Sequence, residues 1–146
     1  MGTRVISVGL ITLQLAACSA ATPEGAERFE IPTHKWGRDG GMDALIEGRL
    51  AFSDEGCTMI LSPDDDRLPE PVVFPNAVGI EFGNGVRAVM EEKNGKLYAI
   101  EGQEFSYGGG WVRPGAVWTD QCGDYSPDDI AYINDLFLVQ DDRIWY

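Results

Sequence analysis

The chain has 146 residues, enough for one domain of ordinary size. It carries 24 Asp plus Glu against 11 Lys plus Arg, a net charge of −13 with its single His neutral. A body of that charge is repelled by phosphate backbones and by anionic headgroups, which excludes nucleic acid as a partner and electrostatic attachment to a membrane surface.

The first elements in chain order form an export signal. Arg4 supplies positive charge, residues 5–15 are an apolar run, and Ala16 and Ala17 are the small residues a signal peptidase needs beside its cut. The run is too short to span a bilayer as a helix, which takes about 20 residues. Cys18 follows directly. Leu15-Ala16-Ala17-Cys18 resembles the lipobox of bacterial lipoproteins. The resemblance implies that residues 1–17 are removed, that the Cys18 thiol is diacylated with fatty chains such as palmitate, and that the new amino terminus is acylated too. Two or three chains anchor stably where one does not. Ser19 stands where an Asp often retains lipoproteins at the inner membrane, so the periplasmic face of the outer membrane is expected if the envelope is Gram-negative. The alternative makes residues 5–17 a buried helix and Cys18 incidental. Without residues 1–17, whose one charged side chain is Arg4, 129 residues remain with 10 cationic and 24 acidic side chains, a net −14.

Residues 18–43 read as a lipidated start and flexible tether, rich in small residues and Pro and closed by Gly40-Gly41, with His34, Lys35 and Trp36 able to dock on the domain. Residues 44–146 form the domain. Ile46, Gly48, Leu50 and Phe52 alternate with more polar neighbours, as in a half-buried strand. After the turn Asp54-Glu55-Gly56, a second strand is expected to place Cys57, Met59 and Leu61 on its inner face. A polar loop with Asp64-Asp65-Asp66 leads to the apolar run Val72-Val73-Phe74. Val78, Ile80 and Phe82, then Val86, Ala88 and Met90, then Leu97 onward predict a three-stranded meander. Its turns are Gly83-Asn84-Gly85 and Asn94-Gly95, the latter a dipeptide favoured in type I′ hairpins. Gly108-Gly109-Gly110 suggests a bulge or sharp bend.

Ser126-Pro127-Asp128-Asp129 combines an N-cap, a Pro at the first helical position and two acids at the positive dipole end, predicting a short helix over 127–135. Residues 136–139 then read as a buried strand. Many short strands and one helix give a mainly β domain, a small twisted β-barrel or sandwich. Gly48-x-Leu50, Gly56-Cys57, Val73-Phe74-Pro75, Gly108-Gly109-Gly110, Cys122-Gly123 and Phe137-Leu138-Val139 are similar to a group of small secreted bacterial proteins. That resemblance covers about residues 44–140 and implies an OB-like barrel without assigning an activity.

Once Cys18 is given to lipid, Cys57 and Cys122 form an even pair in an oxidising compartment and read as a disulfide; two free buried thiols are the alternative. One His and two distant cysteines do not make a zinc site, and no cofactor is expected. The sequence holds no Gly-x-Ser-x-Gly, no His-Glu-x-x-His, no phosphate loop and no dinucleotide fingerprint. Asp64, Asp65 and Asp66 are a calcium candidate, against an ordinary exposed turn. Tyr107, Trp111 and Trp118, set among glycines, are the candidate binding face, against a role in plugging the barrel. The expected function is a non-catalytic, membrane-anchored envelope lipoprotein, monomeric, acting through a protein or small ligand. The alternatives are an acidic inhibitor of a cationic lysozyme-type enzyme, although the Ser-Gly-x-x-Tyr segment of membrane-bound inhibitors is absent, and an envelope hydrolase using two carboxylates.

Overall fold

The computed structural model describes residues 21–35, 44–62, 68–112, 122 and 130–135. Ten strands are present among them: β1 Ala26–Phe29, β2 Thr33–His34, β3 Ala44–Phe52, β4 Thr58–Leu61, β5 Glu70–Pro75, β6 Ala77–Phe82, β7 Arg87–Glu91, β8 Leu97–Ile100, β9 Glu104–Val112 and β10 Ile130–Asp135.

Five of them close a barrel in the order β3-β4-β5-β10-β9. β3 runs antiparallel to β4, with Leu50 opposite Ile60, and antiparallel to β9, with Ile46 opposite Tyr107. β10 is antiparallel to β9 and parallel to β5, where Ala131 faces Val72 and seals the cylinder. This is the Greek-key closure of an OB-like barrel, which removes the exposed strand edges that threaten any small sheet protein. The alternation read in β3 is realised: Ile46 and Leu50 are buried and Glu47 and Arg49 are exposed. Gly48 belongs to the same inward series, and a Cβ there would collide with Ile60 Cγ2 and with Leu61 O. Only glycine lets the two strands approach this closely.

Between β5 and β9 the chain inserts the meander β6-β7-β8, to which β1 adds an edge strand. The insert begins where β5 ends, at Asn76, whose φ is +46°. Gly79, Val89 and Ala99 occupy one face of this second sheet. Val89 and Ala99 join the barrel core, with Phe74 fully buried among Tyr98, Phe105 and Tyr107 at ring-centroid distances of 6.1, 5.7 and 6.4 Å. Burying a Phe side chain contributes about 2–3 kcal/mol, so Phe74 is a principal anchor of the fold.

Several expectations are revised. Residues 26–29 and 33–34 are strands, although they fall in the stretch expected as a tether. Thr33 Oγ1 donates to Phe74 O at 2.9 Å, and Ile31 is buried. The sequence hid this because a strand that borrows its partners from distant segments needs little periodicity of its own. Residues 130–135, expected as helix, form β10, and residues 126–129 lie outside the described residues. Closure of the barrel draws residues 130–135 into the sheet, because without β10 both β5 and β9 would have bare edges. On β4 the barrel-facing residue is Ile60, opposite Leu50, whereas Cys57 and Met59 join a second cluster with Val73, Cys122 and Ile130. The turn at Asn94-Gly95 holds one left-handed residue, Gly95 at φ +70°, rather than the two of a type I′ turn. The irregularity expected at the three glycines falls on the partner strand, between Ile133 and Asp135.

Candidate binding surface

OB-like barrels bind sugars and oligonucleotides on the outer face of their second and third strands, between the loops joining strands one to two and four to five. Here those strands are β4 and β5, and the loops are residues 53–57 and the connection between β9 and β10. Cys57 and Cys122 bring the two loops together as a disulfide pair with a Cα–Cα distance of 5.9 Å. The outward residues beneath it are closed off: Met59 is 5 % and Val73 1 % exposed. Thr58 Oγ1 donates to Val72 O on the same wall. The face a ligand would ordinarily use is therefore packed as a small second core.

His34 is committed to structure. Its Nε2 lies 2.8 Å from Ile133 O, and its ring sits 4.8 Å from that of Tyr132, so it pins β2 against β10. Docking of this part of the expected tether is thus realised at His34, while Trp36 lies outside the described residues.

Two members of the expected aromatic face are described, and they differ in exposure. Tyr107 is 4 % exposed, and its hydroxyl donates to Tyr98 O. Burial pushes the hydroxyls of both Tyr107 and Tyr98 above the usual tyrosine range, with Glu91 and Tyr107 adding to the effect on Tyr98. Trp111 is 47 % exposed near the end of β9. Its ladder partner Ala131 faces the barrel core, so the indole lies on the inward side at the open rim. Trp118 and the candidate calcium ligands Asp64, Asp65 and Asp66 lie outside the described residues. Among the described residues, no group of three His, Cys, Asp or Glu side chains is placed to hold a metal.

A charged row that sequence reading missed crosses the second sheet. Glu27 on β1 stands directly opposite Glu81 on β6, and Glu81 stands opposite Arg87 on β7. Arg87 forms a fork with Glu101, with Nη2 to Oε1 at 2.7 Å and Nε to Oε2 at 3.1 Å, its guanidinium lies 4.6 Å from the Phe52 ring centroid, and Glu81 adds to the negative potential around it. That fork holds Glu101 below the usual carboxylate range. Glu27 and Glu81 stand side by side, both exposed. They line a shallow depression of about 310 Å³ with Gly25, Phe82, Gly83 and Gly85. Like charges directly opposite on a ladder are destabilising. Glu27 carried no signal because its stretch lacked any strand periodicity.

Comparison with protein-family models, with curated proteins and with solved structures returned no match.

Proposed function

We propose that this chain is an exported, lipid-anchored bacterial envelope protein that acts by binding rather than by catalysis. One observation carries the reading furthest: Cys57 and Cys122 are paired across 65 residues of sequence. Structural disulfides persist in oxidising compartments, the destination implied by Arg4, the apolar run and Leu15-Ala16-Ala17-Cys18. Acyl chains on Cys18 supply the anchor that an acidic body does not gain from headgroup electrostatics. Because the usual OB ligand face is filled by Met59, Val73 and Cys122, contact falls to other surfaces, the Trp111 rim and the Glu27–Glu81 depression among them.

The test is mass spectrometry of the protein expressed in a bacterial host with its leader intact. The expected product begins at Cys18 with two or three acyl chains and is found in the membrane fraction, and Cys18→Ser abolishes both. An unacylated product starting elsewhere would overturn the reading.

The Glu27–Glu81 pair favours a second reading, an acidic inhibitor of a cationic lysozyme-type enzyme. Two adjacent carboxylates offer a cationic side chain a site, and opposite net charges speed encounter. Stoichiometric inhibition that weakens in Glu27→Gln and Glu81→Gln would support it.

A further inference from the structure

We propose that the end of the second sheet formed by residues 22–25 and the turn 83–85 is the membrane-facing end of the protein, laid against lipid headgroups. It rests on acylation of Cys18 and adds where the domain sits relative to that anchor.

The chain joins the fold early. Thr22 Oγ1 accepts from Arg28 Nε at 2.7 Å, and Ala26 N donates to Pro23 O at 3.0 Å. Thr22 and Pro23 are half-buried. Ala26 then pairs with Phe82, the last residue of β6, which sets Gly25 beside Gly83. Between Cys18 and Ala21 there are three peptide steps, a reach of about 11 Å at full extension. The headgroup layer on one side of a bilayer is about 5–8 Å thick. With its acyl chains in the hydrocarbon, Cys18 therefore holds Ala21 at the headgroup surface or a few ångströms above it.

The chemistry of this end suits contact without insertion. Gly25, Gly83 and Gly85 carry no side chain into the lipid, and Glu24, Glu27 and Glu81 are exposed. Carboxylates are costly in hydrocarbon and are repelled by anionic headgroups. Among the described residues, the exposed large apolar side chains Leu45, Leu68, Leu97 and Trp111 all lie elsewhere. Trp111 stands seven residues along β9 from Glu104, about 23 Å of strand. Val72 is level with Ala131 and Ala131 with Trp111, so the start of β5 and the end of β9 share one rim, with Leu68 just ahead of β5. The second sheet adjoins the opposite rim, where β5 leads into β6 and β8 leads into β9. So short a link leaves the Trp111 rim clear of the bilayer and open to an envelope partner.

The acylated protein, purified from a bacterial host with its leader intact, is reconstituted in phosphatidylcholine vesicles carrying a spin-labelled headgroup lipid. A fluorescent amino acid at position 24 or 84 is expected to lose most of its emission, and one at position 68 to keep it. Inserting about twelve Gly and Ser residues between Ala20 and Ala21 adds roughly 20 Å of average reach and should restore emission at 24 and 84. Bright labels at 24 and 84 in protein whose acylation is verified by mass would overturn this placement while leaving the anchor intact. So would quenching at 68, or quenching at 24 and 84 that survives the insertion. A product without acyl chains would overturn the anchor and the placement together.

Discussion

Tyr107 on β9 reaches across the core to donate its hydroxyl to the carbonyl of Tyr98 on β8. Among the described residues β8 is the edge of the second sheet, and this bond gives the edge carbonyl a partner. One side chain thereby ties the barrel to its inserted sheet. Tyr107→Phe keeps the ring packing and removes the donor, leaving a buried acceptor unsatisfied at a cost of about 1–3 kcal/mol. Chemical denaturation should show the loss with the slope on denaturant unchanged.

The same pair sets the alkaline limit. Both hydroxyls titrate above their unfolded value near pH 10. Above that pH the unfolded chain releases protons the folded chain retains, so stability is intact below about pH 10 and falls as pH rises toward the folded values. Denaturation series from pH 8 to 11 should show the decline, and Tyr107→Phe should make it shallower.

Removal of the Cys57–Cys122 link by Cys57→Ser with Cys122→Ser frees a 65-residue separation in the unfolded chain. The chain-entropy model gives about 4 kcal/mol for a loop of this size. Exposure of Met59 and Val73 should also appear as binding of an apolar dye, which intact protein would not show.

Arg87 and Glu101 are each partly exposed, at 26 % and 29 % of the side chain, so solvent screens their fork. Arg87→Lys should cost about 1 kcal/mol or less, because lysine keeps the charge and loses the two-point geometry and the contact over Phe52. Glu101 sits below its unfolded value, so its contribution is present above about pH 4.5 and lost as pH falls through the folded value. Glu101→Gln should remove that part of the acid dependence.

Glu27→Lys replaces a like-charge pair with an attractive one. It should raise stability by about 0.2–1 kcal/mol in thermal unfolding at low salt, with the gain shrinking as salt is added. If the depression is the contact surface for a cationic partner, binding by this variant should be lost while the fold is strengthened.

The strands of the barrel and meander were legible because period-two patterning is written in consecutive residues: Ile46 and Leu50 inward, Glu47 and Arg49 outward. The Cys57–Cys122 pairing was legible too, since removal of Cys18 by the lipobox resemblance left one possible partner for each. Residues 26–34 and 130–135 were not. Their strands exist because β6, β5 and β9 offer ladders to complete, and a pairing partner tens of residues away leaves no mark in a short window. Sequence alone determined a β-built, acidic chain and pointed to Cys57 and Cys122 as its cysteine pair. The tertiary structure decided which face of β4 looks inward, that Tyr107 is core, and that Glu27 meets Glu81. Each of these depends on register between remote strands, and a shift of one residue would exchange the two faces.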